Sequence, residues 1–332
     1  MINPAMFVSP DIESPEITQE PIRAGFGRGL LEAGHRDANV VALCADLTES
    51  TKMDAFAKSY PERFVEIGVA EQNLVTVAAG MSLAGKVPFI SSYAAFSPGR
   101  NWEQIRTTVC LNEANVKVVG SHAGVSVGPD GATHQMLEDI ALMRVLPNMM
   151  VVVPADSVEA EKATLALASM KGGAYLRLAR DKSPVVTTAK TPFHLGKASV
   201  LRHGTDVTIV ACGIMVYQAL KAAEILAKAG IEAEVINAAV IKPLDSATIL
   251  ASARKTGAVI TAEEGQIAGG LGGAVAEVLS DHAPTPMVRI GMLDRFGESG
   301  TPSELLEHFG LTASNIARNA KSLMKRKGNL ST

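Results

Sequence analysis

The stretch VEIGVAEQNLVTVAAGMSLAGKVPFISSYAAF, residues 65–96, decides the fold class of this chain. It begins with a short β-like run, continues through a helical stretch rich in Ala, Val and Leu, and returns to an apolar β-like run. A strand, a helix and a second strand in this order predict a βαβ unit with parallel strands. Glu71 falls where the predicted helix begins, and a charge at the start of an apolar helix requires an explanation.

The same alternation extends along the chain on both sides of this stretch. Apolar runs such as NVVALCAD, NVKVVGSHA and MMVVVPA alternate with helical stretches up to Arg180. A polar, proline-containing segment near residues 183–197 then predicts a linker, after which DVTIVACG, AEVINAAVIKPL, AVITAEEG and MVRIGML resume the pattern. We therefore predict an α/β protein of two tandem domains, 11–185 and 195–325, with mostly parallel sheets covered by helices.

Composition excludes several classes of function. The formal net charge is −3, and Lys and Arg are spread along the chain, so we expect neither nucleic-acid binding nor a polybasic membrane patch. The first twenty residues lack the pattern of a signal peptide or anchor. Cys44, Cys110 and Cys212 lie far apart and are interpreted as buried thiols in a reducing compartment. We expect a cytoplasmic protein.

In parallel sheets, ligands bind at the carboxyl ends of the strands, so the loops that follow strands are the candidate sites. Glu71 lies on one such loop, and Tyr93 and Phe96 follow the next strand along the chain. A carboxylate and two aromatic rings suit a flat heteroaromatic ligand with a protonatable ring nitrogen. The alternative is a carboxylate that only favours the helix dipole, beside two ordinary core aromatics.

Three further loops carry polar side chains. The loop GSHAGVSVGPDGATHQ, residues 120–135, offers His122, Asp130 and His134 for a polyhydroxylated substrate. A metal site is the competing idea, but no pair of these side chains has ligand spacing on one element. Arg180 ends a buried strand and is a candidate anion ligand. The segment ADLTES, residues 45–50, is interpreted either as a site or as a helix cap and turn.

Taken together, these loops resemble the pyrimidine-binding and C-terminal domains of transketolase, a thiamine-diphosphate enzyme. The segment GPDGATHQ is close to a signature of that family, and ADLTES, GVAEQN, SSYAAF and LARDK occur in the expected order around it. The resemblance covers roughly residues 11–325. It is specific as a set of motifs, because none of them is diagnostic alone.

The resemblance implies a role for each residue of these loops. Glu71 matches the glutamate that hydrogen-bonds N1′ of the cofactor's aminopyrimidine and activates the cofactor, which accounts for the charge at the start of the helix. Glu71 and His134 are the implied catalytic residues. The other implied cofactor contacts are Tyr93, Phe96 and Asp46. The residues implied to bind substrate are Arg23, Ser50, His122 and Arg180 at a terminal phosphate, and Asp130 and His134 at sugar hydroxyls.

The resemblance also implies a partner chain. In transketolase a preceding domain with a Gly-Asp-Gly segment holds the diphosphate and Mg²⁺ (or Ca²⁺), and this sequence contains no such segment. We therefore expect a second polypeptide to carry that half and the metal ion, in an α2β2 assembly, with no metal ligand assigned to this chain. The implied reaction moves a two-carbon glycolaldehyde unit from a ketose phosphate to an aldose phosphate, in the pentose phosphate route or in a dedicated sugar-catabolic pathway.

Two other functions remain open on the sequence. The β subunit of a 2-oxo acid dehydrogenase E1 component shares the two-domain arrangement and the activating glutamate, but it has no need of a phosphate site. A catalytically silent homologue would not need Glu71, Tyr93, Phe96 and His134 together.

Two motifs of the second predicted domain are also informative. EEGQIAGGLGGAVAEVL lacks the G-x-G-x-x-G spacing, so its glycines are interpreted as packing positions rather than as a nucleotide loop. DRFGESG, with Glu298, is expected to form a contact between the two domains.

Overall fold

The structure, a computed structural model, describes the backbone of residues 1–330 and the side chains of residues 1–326. The strands are β1 (Gln19–Pro21), β2 (Val40–Cys44), β3 (Phe64–Glu66), β4 (Val87–Tyr93), β5 (Lys117–Ser121), β6 (Met149–Val152), β7 (Gly173–Arg177), β8 (Lys182–Pro184), β9 (Ser199–Arg202), β10 (Val207–Ala211), β11 (Ala233–Asn237), β12 (Val240–Lys242), β13 (Val259–Gln266) and β14 (Met287–Met292).

The helices alternate with these strands through most of the chain. They are α1 (Ile22–Arg36), α2 (Asp54–Ser59), α3 (Glu71–Leu83), α4 (Trp102–Gln104), α5 (Asp139–Arg144), α6 (Ser157–Ser169), α7 (Met215–Ala227), α8 (Ser246–Thr256), α9 (Leu271–His282), α10 (Pro302–His308) and α11 (Ala313–Leu330). The remaining helical segments are a π-helical turn at Ile105–Cys110 and 3-10 turns at Pro4–Met6, Pro61–Arg63 and Val125–Val127. Among the described residues, none of these helices is long and apolar enough to cross a membrane.

The first sheet has seven strands in the order β12-β6-β7-β5-β4-β2-β3. Its neighbouring strands are parallel, except that β12 runs antiparallel to β6. Residues 65–96 form most of β3, all of α3 and all of β4, which confirms the predicted βαβ unit; β2 lies between its two strands. Strands β2, β5 and β7 are buried at every residue, as expected for a parallel sheet covered on both faces.

The second sheet has five strands in the order β14-β13-β10-β11-β9. All of its pairs are parallel except that of β11 with β9. The predicted fold class, two tandem α/β domains with mostly parallel sheets, is confirmed. The three cysteines are free and buried, as the sequence predicts.

One predicted strand is in fact two, and the second crosses between the domains. AEVINAAVIKPL contains β11, which belongs to the second sheet, and β12, which pairs with the edge of the first sheet. Val240 lies opposite Val152, and the N–H of Val153 donates to the carbonyl of Ala239 (2.6 Å). The crossing strand thus covers an otherwise open edge of the first sheet. The residues between the two strands, Ala238 and Ala239, give no turn signal that would predict such a break.

The predicted linker is also more ordered than its composition indicates. It begins as β8, which pairs antiparallel with β1. Beyond β8, the N–H groups of Val186 and Thr187 donate to the buried carboxylate of Asp156 at 2.8 and 2.6 Å. These contacts fix the connection against the first domain.

Both motifs of the second domain have the structural roles predicted from the sequence. The glycines of the first are packing positions, since an added Cβ would approach Glu263 Oε2 to 2.0 Å at Gly270 and Thr261 Oγ1 to 2.9 Å at Gly272. Glu263 accepts from the N–H groups of Leu271 (2.9 Å) and Gly272 (2.8 Å), so it satisfies the start of α9. Burial raises the pKa of Glu263 to about 7. The segment DRFGESG contacts the first domain, since Gln135 Nε2 donates to the carbonyl of Glu298 (2.9 Å).

Candidate active site

Glu71 is the first residue of α3, on the loop that follows β3. The helix begins there because Leu74, Val75 and Ala78 present a continuous buried face to the sheet. The Glu71 side chain is only 5% exposed. Both carboxylate oxygens accept from Arg100 Nη1, at 3.1 and 3.3 Å, whereas the Glu71 carbonyl accepts from Asn101 Nδ2 at 2.8 Å.

The rings that were predicted to form a pocket lie next to this carboxylate. Phe96 and Tyr93 are stacked with centroids 6.0 Å apart, and both are half-buried. The Arg100 guanidinium carbon lies 4.2 Å from the centre of the Phe96 ring. The flat guanidinium cation of Arg100 therefore contacts an aromatic face and the buried carboxylate of Glu71 at the same time.

Two histidines of the loop after β5 complete the aromatic cluster. His122 stacks on Tyr93 with centroids 3.8 Å apart, and His134 meets Phe96 edge-on at 5.4 Å. Each Nδ1 has a hydroxyl neighbour at 2.9 Å, from Ser121 in one case and Thr133 in the other. The loops after β4 and β5 thus meet through their rings.

Beyond His122 lies a pair of guanidinium groups. Arg23 Nε donates to the carbonyl of Arg180 at 3.0 Å, and its Nη1 donates to the carbonyl of Ser50. Arg180 Nη1 donates to the carbonyl of Val127 at 2.8 Å. Burial and the nearby Arg180 charge lower the pKa of Arg23. Two cations held close together by backbone carbonyls favour an anionic ligand between them.

His122 is 2% exposed and adopts a positive φ of 56°. Burial, together with the charges of Arg23 and Arg180, lowers its pKa to about 3. The imidazole is therefore neutral near pH 7, so it offers one N–H donor and one acceptor rather than a charge.

Asp130 is at the outer end of this group. Its Oδ1 lies 4.0 Å from Arg180 Nη1, and its side chain is 32% exposed. The structure thus gathers the carboxylate, the four rings and the guanidinium pair into one region. Arg100 links Glu71 to Phe96, and ring contacts lead from Phe96 through His134 and Tyr93 to His122. The charges of Arg23 and Arg180 act on His122 from its other side.

Asp46 is the one predicted residue that the structure does not join to this cluster. It is exposed on the loop after β2, with φ of 57°, and its N–H donates to Glu66 Oε1 at 2.7 Å. Glu66 also accepts from the N–H of Gly68 at 2.8 Å, on the loop that leads to Glu71. Among the described residues, the hydrogen bonds of Glu66 thus connect Asp46 to the loop that leads to Glu71.

Sequence reasoning missed Arg100 and Asn101. Both fix Glu71, one at its carboxylate and one at its carbonyl. They follow Phe96 by four and five residues in SSYAAFSPGRN, so their position in the loop after β4 was the available signal. Within residues 1–326, no three His, Cys, Asp or Glu side chains are grouped as a metal site would require.

Comparison with known families matches nearly the whole chain. Residues 19–185 match the family described as transketolase, pyrimidine binding domain, and residues 196–316 match transketolase, C-terminal domain.

Individual relatives match at similar length. A 6-deoxy-6-sulfo-D-fructose transketolase subunit, SqwH, of Clostridium sp. is 44% identical over 298 residues, which cover 90% of this chain and 92% of the relative. An apulose-4-phosphate transketolase subunit of Phocaeicola vulgatus is 38% identical over 305 residues, covering 92% and 97%. A solved structure described as a split gene transketolase, inactive beta4 tetramer, is 48% identical with a TM-score of 0.87, covering 92% of this chain and 99% of its own.

Proposed function

The chain belongs to the transketolase family, and from that premise we propose that it is the subunit of a split transketolase that holds the cofactor's aminopyrimidine and the sugar phosphates. The observation that carries the proposal is the run of contacts from the Glu71 carboxylate through Arg100 and the aromatic rings to His122, whose pKa is lowered by the nearby charges of Arg23 and Arg180. Its proposed reaction is transfer of a glycolaldehyde unit from a ketose phosphate to an aldose phosphate.

The residues around Glu71 fit the aminopyrimidine of thiamine diphosphate. That group needs a carboxylate at one ring nitrogen and an aromatic surface beneath it, and the Arg100 guanidinium already uses both. We propose that Glu71 holds N1′, that Tyr93 and Phe96 contact the ring, and that Asp46 lies nearby. When bound, thiamine diphosphate supplies the carbon that accepts and releases the two-carbon unit.

In this proposed arrangement, Glu71 activates the cofactor by sharing a proton with N1′ of the aminopyrimidine. A buried carboxylate that shares a proton with N1′ shifts the ring toward the tautomer that acts as a base. The low exposure of Glu71 keeps bulk water from competing for that proton. Asn101 donates to the Glu71 carbonyl, and this bond fixes the backbone position from which the Glu71 side chain extends.

The other half of the site suits a sugar with an anionic end. We propose that Arg23, Ser50, His122 and Arg180 bind the terminal phosphate. Asp130 and His134 are proposed to bind hydroxyls, with His134 catalytic near the reacting carbonyl because it touches Phe96. A 2-oxo acid carries no terminal phosphate, so the guanidinium pair has no use in a 2-oxo acid dehydrogenase.

We propose that a partner chain supplies the diphosphate-binding domain and Mg²⁺ or Ca²⁺, in an α2β2 assembly. Support comes from the two relatives that are named as subunits, because this chain covers 92% and 97% of their lengths. The compartment we propose is the cytoplasm, where three buried thiols remain reduced. The pathway we propose is the pentose phosphate route or a dedicated sugar-catabolic pathway, and the identity of the two phosphorylated substrates distinguishes them.

Replacing Arg180 tests the phosphate site. In the assembled enzyme, Arg180→Met should raise the KM for a phosphorylated ketose by roughly 10- to 150-fold, because a charge-assisted hydrogen bond contributes about 1.5–3 kcal/mol. The unphosphorylated ketose should be affected by less than about twofold. Steady-state kinetics with both sugars measures the difference.

A matched control is Lys182→Met, which removes an exposed positive charge two residues away on β8. It should leave both KM values unchanged. Equal losses for the two sugars in Arg180→Met would show that Arg180 is only structural, through its bond to Val127.

A further inference from the structure

The loop that carries His122, Asp130 and His134 rests against the second domain along its length. Three of its glycines have positive φ: Gly124 (87°), Gly128 (85°) and Gly131 (74°). At each of these glycines, an atom of the second domain lies where a side chain would project. An added Cβ would approach Glu264 Cδ to 2.3 Å at Gly124, Pro302 Cδ to 3.2 Å at Gly128 and Ser299 Oγ to 2.5 Å at Gly131.

Hydrogen bonds join the same two surfaces. The N–H of Ser126 donates to Glu264 Oε2 at 3.2 Å. Gln135, which is 4% exposed, lies with its Nε2 within bonding distance of three carbonyls: Val125 (3.1 Å), Gly128 (3.3 Å) and Glu298 (2.9 Å). One amide therefore ties two points of the loop to each other and to the second domain.

Glu264 is itself fixed by a buried charge network that crosses the domain boundary. Arg177 of β7 lies between two carboxylates, with Nε 2.8 Å from Asp139 Oδ2 and Nη1 3.5 Å from Glu264 Oε1. All three side chains are at most 2% exposed. Buried ion pairs contribute less to stability than apolar packing of similar volume, so stability alone is a weak reason for this network.

We propose that the second domain is the template for the substrate-binding loop, with Gln135 and Glu264 as positioning residues that set where His122, Asp130 and His134 stand. This inference rests on the proposed function, since it concerns the sugar side of that site. The hydrogen bonds that fix Glu71 come from Arg100 and Asn101 on the loop after β4, not from Gln135 or Glu264.

This difference in hydrogen-bond partners gives the test two separate readouts in the assembled enzyme. In Gln135→Met, which keeps the length and loses the donors, glycolaldehyde transfer should fall roughly 10- to 100-fold in kcat/KM, as small misplacements of reacting groups do. Deuterium exchange at C2 of bound thiamine diphosphate should stay within about threefold of the wild-type rate. A merely structural role would lower both readouts together.

Gln266→Met is the matched control, because the side-chain amide of Gln266, like that of Gln135, donates to a backbone carbonyl, but its partners Arg295 and Asp294 lie within the second domain. It should leave transfer unchanged. Where Gln135→Met does not fold, Gln135→Asn keeps the amide but shortens its reach, and the same divergence of the two readouts is expected.

Unchanged transfer in a folded Gln135 variant, or equal losses of transfer and C2 exchange, would overturn the inference. A wild-type complex that shows neither transfer nor C2 exchange would instead overturn the proposed function. The two failures are therefore distinguishable.

Discussion

Replacing Glu71 with Gln should slow deuterium exchange at C2 of thiamine diphosphate by about 10²- to 10⁴-fold in the assembled enzyme, the range for loss of a positioned proton-transfer group. The amide has nearly the same shape, but it cannot share a proton with N1′ as a carboxylic acid does. NMR of the bound cofactor after rapid mixing into D₂O measures the rate directly.

The fold should survive this substitution. The Glu71 carbonyl still accepts from Asn101, and the amide removes a charge from a site that is 5% exposed. Arg100 loses its counter-ion, yet its side chain is 52% exposed and remains hydrated, so the expected cost is below about 1 kcal/mol. The thermal unfolding midpoint of the variant should stay close to that of the wild type.

Glu103→Gln provides the comparison. Glu103 is an exposed carboxylate in the first turn of α4, three residues beyond Arg100, and it accepts a hydrogen bond from Gln104. Its replacement should leave C2 exchange unchanged. A wild-type exchange rate in Glu71→Gln would remove Glu71 from its proposed role.

The fold class was predictable because periodicity is a local property of the sequence. Residues 65–96 specify strand, helix and strand through apolar runs of the right length, and the structure confirms them. The place of β12 was not predictable from such a pattern. Val240 pairs with Val152, 88 residues earlier, and an apolar run has the same appearance whichever sheet it joins.

The candidate site was predictable to the extent that it lies on loops after strands. A parallel sheet brings those loops to one edge, so Glu71, Phe96, His122 and Arg180 lie in one region although they are far apart in sequence. Arg100 was missed because its position after β4, the available signal, does not identify Glu71, 29 residues earlier, as its partner. Glu264 was missed for the same reason, since its contact with Ser126 spans 138 residues.

We also expect a large effect on activity and on cofactor binding when the partner chain is absent. Alone, this chain should transfer no glycolaldehyde, and it should bind thiamine diphosphate at least roughly 10³-fold more weakly than the complex with its partner does. Contacts to the diphosphate and Mg²⁺ are charge-assisted and contribute about 1.5–3 kcal/mol each, so losing two or three of them accounts for that factor.

The most direct measurement is a titration of thiamine diphosphate and Mg²⁺ into the purified chain, with and without a candidate chain that carries a Gly-Asp-Gly segment, followed by calorimetry and by glycolaldehyde transfer from a ketose phosphate to an aldose phosphate. We predict tight binding and turnover only when both chains are present. Micromolar binding and turnover by this chain alone would contradict the account, because the active site would then be complete without a partner.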